Sequence, residues 1–254
     1  MNKLSVVIIT YNEERNIGRC LESLKGISDD IIVVDSGSDD DTEVICREYN
    51  VNFITNRFLD YSSQKNFGNS IAKYDFILSI DADEVISPEL RSSIFDIKLE
   101  NNTAYSFNRL NFHSGKPIKH GGWYPDRKIR IWNKKYGEWR GIIHENIYFK
   151  ELPGIIHIKG DLLHYTYDNL EEHLKQAIKF SMLNAKKDFD NGRKTNFFKI
   201  AFAPAFRFIS MYVIKLGFLD GYLGYYIAKT TAFASFLRNM ELLVLKKKQK
   251  MFLK

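Results

Sequence analysis

The sequence predicts an α/β fold: a mixed, mostly parallel, doubly wound sheet followed by a helical C-terminal extension. Three observations predict it. Strand and helix patterns alternate over the first hundred residues, and acids recur where the strands end. Residues 191–254 then carry 12 Lys and Arg against two acids, a local charge of +10 that leaves −4 for the rest of a chain whose net charge is +6. The 254 residues, 44% hydrophobic and 27% charged, suit an ordinary globular protein with a sizeable core. Cys20 and Cys46 are too few for a disulfide framework or a Cys-rich zinc site, and suit a reducing compartment. The opening MNKLSVVIITYNEERN has too short an apolar run for a signal peptide.

Residues 4–10 form an uninterrupted, β-branched run, the pattern of a strand buried in a parallel sheet. Asn12 is placed to cap a helix running through Lys25. Residues 30–35 (DIIVVD) read as a second strand, 39–49 as a helix, 51–55 as a third strand, 62–73 as a helix and 76–80 as a fourth strand. Ser87 followed by Pro88 is a cap and first-turn pair for a helix through Lys98. Repeated strand–helix–strand units give a parallel sheet, whose ligands bind at the carboxyl ends of the strands.

From residue 103 the pattern changes. Residues 103–110, 128–132 and 142–149 read as strands, with Gly115, Gly121, Gly122, Gly137 and Gly141 in the loops. Residues 155–158 and 162–165 read as two further short strands. Asp168 then opens a helix to about residue 190, with Glu171 completing a capping-box-like pair. Residues 197–236 contain 12 aromatics in 40 positions, and charges interrupt every apolar stretch before the ~18 residues of a bilayer span. Phe202, Phe206, Ile209, Val213 and Leu216 fall near a helical stripe. Such a segment lies in a membrane interface or packs on its own protein, and both readings stand at this point.

Asp81, Asp83 and Glu84 place three acids within four residues. Their mutual repulsion calls for a cation or for donors. A hard divalent cation shared with substrate phosphates would meet that need, while helix capping is the simpler alternative. Asp35, followed by Ser36-Gly37-Ser38, is an acid at a neighbouring strand end, where a ribose hydroxyl or a base imino group can be held. The chain has no G-x-G-x-x-G after its first strand and no Walker A sequence, which excludes the usual dinucleotide and P-loop sites. It also lacks a recognisable nucleic-acid motif, so no nucleic-acid partner is expected.

The segments SVVIITYNEERNI, VVDSGSDDDT and DFILSIDADE, in that order, resemble the start of the family 2 glycosyltransferases, with their GT-A nucleotide-sugar fold. GGWYPDRKIRIWNKKYGEWRGIIHENI, LLHYTY and GFLDGYLGYYIAK are similar to the branch that contains lipopolysaccharide inner-core β-glucosyltransferases, extending the resemblance over nearly the whole chain. The resemblance implies a catalytic domain of residues 1–190, with a nucleotide-binding half (1–100) and an acceptor-side half (101–167), and a basic aromatic extension of residues 191–254. It implies inverting transfer of a hexose from a UDP-sugar to a hydroxyl of a lipid-anchored glycan such as lipopolysaccharide core. A polyprenyl phosphate or a protein is the alternative acceptor. Mg²⁺ or Mn²⁺ is the implied cofactor. The expected location is cytoplasmic, peripheral on the inner face of the cytoplasmic membrane. A nucleotidylyltransferase on a similar fold is the other enzyme class, and Tyr11-Asn12-Glu13-Glu14 stands where such enzymes carry a basic Gly-rich loop.

Position by position, the resemblance puts Thr10 and Glu13 in the nucleotide pocket and Asp35 on the uracil or ribose. Asp81 and Asp83 form the D-x-D motif, with Asp83 on the metal and Asp81 nearer the ribose. Lys65 faces the nucleotide, with a solvated helix lysine as the other reading. Gly121 and Gly122 lie under the donor sugar or make a plain turn. Glu145 is the base that deprotonates the acceptor, with Asp126 as runner-up. His164 is a metal ligand or an ordinary strand histidine. Trp123, Tyr124 and Trp139 stack on sugars or pack in the core.

Overall fold

The computed structural model describes residues 3–141 and 145–252. In chain order its first elements are β1 (Leu4–Thr10), α1 (Ile17–Leu24), β2 (Ile31–Asp35), α2 (Thr42–Glu48), β3 (Asn52–Thr55), α3 (Tyr61–Ile71), β4 (Phe76–Asp81), β5 (Glu84–Ile86) and α4 (Pro88–Asp96). There follow β6 (Thr103–His113), β7 (Lys116–Pro117), β8 (Asp126–Asn133), β9 (Gly137–Arg140), β10 (Asn146–Phe149) and β11 (Gly154–Tyr167). The last helices are α5 (Leu170–Asp190), α6 (Phe197–Ile209) and α7 (Gly221–Phe252). The main sheet has the order β3-β2-β1-β4-β8-β6-β11-β5, with β7 paired to the end of β6. β3, β2, β1 and β4 are parallel, whereas β8 runs antiparallel to β4 and to β6.

Contacts divide the chain into two compact units: Met1–Leu110 with Asp126–Tyr165, and Asn111–Pro125 with Thr166–Lys254. These divisions differ from the boundary at residue 190 expected from the sequence. The reason is that α5, on the earlier side of that boundary, packs along α7. In the first unit β1, β2 and β4 are buried on both faces, between clusters centred on Leu4, Val6, Ile8, Leu21 and Leu78 and on Val7, Ile32, Val34 and Trp132. The second unit closes on Ile118, Met211, Leu223 and Ile227.

Several local expectations shift. Asn12 does not cap α1: its φ is +55°, and its side chain accepts from the backbone N–H of Asp39 at 3.0 Å. A turn from Glu13 to Asn16 intervenes, and the helix starts at Ile17. Ser87 does cap α4, accepting from Leu90 N–H with Pro88 in the first turn. The two short strands expected at 155–158 and 162–165 are one strand, β11. Gly160 carries the chain through at φ +95°, and a Cβ there would lie 2.2 Å from Leu90 N. Because β11 continues to Tyr167, the cap of α5 moves one residue on. Asn169 accepts from Glu172 N–H at 2.9 Å, and the Glu172 carboxylate accepts from Asp168 N–H at 3.1 Å. Of the strand expected at 142–149, residues 142–144 lie outside the described residues and Asn146–Phe149 is β10.

In the second unit α6 continues into a π turn, and Phe197–Ile214 is 18 residues long with 11% of it buried. By length and composition it is apolar enough to cross a membrane. That corrects the expectation that charges break every such stretch, because Lys199 and Arg207 are the only charged residues in it.

Candidate active site

The parallel register builds the first wall. Thr10 pairs with Asp35 and Ile9 with Asp81, so three strands end at one edge. Thr10 is 4% exposed and its hydroxyl has no hydrogen-bond partner among the described residues. A buried polar group in that state invites a ligand. Both Asp35 carboxylate oxygens are engaged in the turn that follows: one accepts from Gly37 N–H at 2.8 Å and Ser38 N–H at 2.9 Å, the other from the Ser38 hydroxyl at 2.5 Å. Glu13, in the turn after β1, accepts from the Asn16 side-chain amide at 2.6 Å. Burial pushes its carboxyl up to about 7, with the Asn16 bond working against this and the Asp83 charge adding to it.

The acid cluster sits at the β4–β5 turn, and protein cations meet most of its charge. Glu84 is fully buried and accepts from Asp81 N–H at 2.9 Å. Arg130 of β8, itself 4% exposed, donates to Glu84 and lies 3.2 Å from Asp81 Oδ2. Lys65 of α3 is 3% exposed at its side chain, with its ammonium 3.0 Å from Asp81 Oδ1, 3.1 Å from Glu145 Oε1 and 4.6 Å from the Trp139 ring centre. It is therefore a buried bridge and not a solvated helix lysine. Burial by itself would raise the Asp81 carboxyl, but Lys65 and Arg130 hold it well below the carboxylate range. For Glu84, burial outweighs Arg130 and the net direction is up.

Removing Arg130 should expose how much the cluster depends on it. Arg130→Met is expected to lower stability by about 3–5 kcal/mol, because it leaves Glu84 buried beside Asp81 without its cation. Urea denaturation read by fluorescence checks this, and unchanged stability would mean that water or Arg109 replaces the guanidinium.

Asp83 is engaged differently. His164 on β11 faces it with Nε2 3.1 Å from Asp83 Oδ2, brought there by the antiparallel pairing of His164 with Glu84. Burial would lower the His164 pKa, yet the Asp83 carboxylate outweighs it and the net direction is up. Among the described residues no group of three or more His, Cys, Asp or Glu side chains is arranged for a metal. Asp83 with His164 nevertheless makes a carboxylate–imidazole pair that a divalent cation can share while substrate oxygens and water complete its shell. The donor set thus fits such an ion.

The two candidate bases are distinguished by their partners. Asp126 is held by Arg109 through two contacts, 3.0 and 2.8 Å, and by Lys128 at 3.0 Å. Glu145 has one oxygen on Lys65. Trp139 belongs to the core, edge-on to Trp132 at 5.5 Å. Trp123, Gly121 and Gly122 belong to the second unit. Gly121 and Gly122 have φ of +66° and +83°, and Gly121 N–H donates to Lys215 C=O at 2.8 Å. Sequence reasoning missed Arg109 and Arg130. The available signal was an arginine amid the apolar residues of a strand, where only a paired charge is tolerated.

Residues 5–152 match the model of Glycosyl transferase family 2. An uncharacterized glycosyltransferase of Rickettsia typhi is 33% identical over 95% of this chain and 87% of its own length. The chain belongs to glycosyltransferase family 2. Its mixed sheet is the GT-A fold, followed by C-terminal helices. This family 2 enzyme is also similar to the lipopolysaccharide core biosynthesis glycosyltransferase LpsC of Rhizobium meliloti, at 27% identity over 92% of this chain and 89% of that one. Among solved structures, the glucosyl-3-phosphoglycerate synthase of Mycobacterium tuberculosis, crystallised with Mn²⁺, UDP-glucose and phosphoglyceric acid, is 20% identical over 45% of each chain with a TM-score of 0.37. That likeness is too slight to bear on the ligands of this chain.

Proposed function

We propose that this glycosyltransferase is an inverting enzyme that moves a hexose from a UDP-sugar to a hydroxyl of a lipid-anchored glycan of the lipopolysaccharide-core kind. The observation that carries the reading is the Lys65 bridge, which draws the D-x-D acid Asp81 and the candidate base Glu145 to one buried ammonium. In this reading Thr10, Glu13 and Asp35 line the nucleotide pocket, and Asp83 with His164 holds Mg²⁺ or Mn²⁺. A divalent ion there supplies charge neutralisation to the diphosphate leaving group. Lys65 orients Glu145 through one oxygen and leaves the other to accept the acceptor's proton. The new bond forms between the acceptor oxygen and the anomeric carbon as the bond to the diphosphate breaks. UDP leaves and the configuration inverts. Asp126, held by two cations, is the poorer base. The likeness to LpsC supports a lipopolysaccharide-type acceptor. Nucleotide release from a panel of nucleotide sugars tests the donor: UDP-hexoses should turn over, and preference for a GDP- or CMP-sugar would overturn that part.

The same reading places the enzyme peripherally on the inner face of the cytoplasmic membrane, through the extension of residues 191–254. Phe198, Phe202, Phe206, Ile209 and Val213 are all exposed, and Lys194, Lys199, Arg207 and Lys215 accompany them. Exposed apolar area combined with cations suits an anionic bilayer surface. The full chain should co-sediment with phosphatidylglycerol vesicles, less so at high salt. A Phe198→Ser, Phe202→Ser, Phe206→Ser variant should lose most of that binding, about tenfold or more. Equal binding by both proteins would reject the membrane role.

A further inference from the structure

Within the second unit, α6 and α7 run antiparallel: Thr195 bonds Asn239 at 3.1 Å near one end, and Phe208 meets Tyr225 edge-on at 5.8 Å near the other. Between them lies an open groove of about 500 Å³. Phe197 and Phe236 wall one end, Ala201 and Ala232 lie along its middle, and Pro204 and Lys229 close the other end. The two alanines are what keep it open, since larger side chains at those positions would fill it. From Phe197 to Pro204 the groove follows two helical turns, about 10 Å at 1.5 Å per residue. Its lining is apolar apart from Lys229. That ammonium stands 5.0 Å from the Phe208 ring centre and 5.6 Å from that of Tyr225, and it has no carboxylate within ion-pair distance among the described residues.

An open apolar groove whose one cation has no carboxylate partner among the described residues matches an amphiphile with an alkyl chain and an anionic head. We infer that this groove seats the head-proximal part of one acyl chain of an anionic membrane phospholipid, with Lys229 taking the phosphate. The charge of the segment, 12 Lys and Arg against two acids in residues 191–254, favours an anionic head over a neutral or zwitterionic one. Each side chain has its task. Phe197 and Phe236 cover the chain, Ala201 and Ala232 give it room, and the exposed Lys229 sets the direction of entry by a charge-assisted contact with the head.

This inference deepens the reading of the extension as membrane-facing, and its test is separate from the vesicle assay. The full chain is titrated with lysophosphatidylglycerol below its micelle concentration, followed by native mass spectrometry and calorimetry. Lysophosphatidylcholine supplies the same chain without net charge, and glycerol phosphate supplies the head without the chain. Saturable binding of one lysophosphatidylglycerol per chain is expected, about tenfold weaker binding of lysophosphatidylcholine, and none of glycerol phosphate. Ala232→Phe should abolish binding of both lysolipids, and Lys229→Gln should erase the discrimination between them. Phe197→Ala, on a side chain 77% exposed, weakens binding without threatening the fold. No saturable binding by the wild-type chain would overturn the inference. So would Ala232→Phe binding like wild type, glycerol phosphate competing fully, or light scattering showing a dimer that Ala232→Phe dissociates. Vesicle binding that survives Ala232→Phe while lysolipid binding is lost separates the groove from the exposed phenylalanine stripe. Vesicle binding with no lysolipid site overturns the groove alone.

Discussion

Glu145→Gln is expected to leave donor binding intact and to cut glycosyl transfer by about 10²–10⁴-fold, the usual worth of a positioned general base. The amide keeps the size and hydrogen-bonding shape of the carboxylate but cannot take the proton from the attacking hydroxyl. Its oxygen can still accept from Lys65, which sits 3.1 Å from Glu145 Oε1, so the bridge to Asp81 survives in weakened form. The measurement is calorimetric affinity for UDP beside the rate of transfer. A rate near wild type would sink the assignment and turn attention to Asp126. Asp126→Asn is the companion variant. Because Arg109 and Lys128 already engage that carboxylate, it should lose far less rate than Glu145→Gln.

Asp83→Ala is expected to abolish metal-stimulated turnover. Lewis-acid stabilisation of a diphosphate is worth several kcal/mol, and a decade of rate is 1.36 kcal/mol, so the loss should reach about 10³-fold. UDP affinity, measured with and without Mn²⁺, should become insensitive to the metal. The fold should tolerate the change, because Asp83 contacts the half-buried His164 and does not take part in the Glu84–Arg130 pair. Retained metal stimulation would place the cation elsewhere, with Asp81 the next candidate. His164→Ala provides a graded control: it removes the imidazole but keeps the carboxylate, so metal affinity should weaken while some stimulation remains.

The acids of this site were legible in the sequence because strand ends are legible. Continuous β-branched runs announce buried parallel strands, and the first polar residue after each run marks the sheet's carboxyl edge. Asp35 and Asp81 were found in this way, and Thr10 by the family resemblance. Glu145 and His164 came from the family resemblance, not from any local pattern. Lys65 was legible as a position but not as a bridge: nothing in SSQKNFG says that a helix lysine will be buried against acids 16 and 80 residues away. The shifts at Asn12 and Asp168 have a common physical origin, since a capping residue is a local preference that a neighbouring turn or a longer strand overrides.

The sequence by itself determined the alternating architecture, the family and the acidic edge, because hydrophobic period and strand-end chemistry are local properties of the chain. The tertiary structure decided which charges neutralise which. Three acids in four residues demand partners, but Lys65, Arg109 and Arg130 come from three different elements, and only the sheet order that sets β8 and β6 beyond β4 brings the two arginines within reach. The same holds for His164, which meets Asp83 only through the antiparallel register of β11 on β5. Pairing energy falls with distance and rises with burial, and both are set by the fold, not by spacing along the chain.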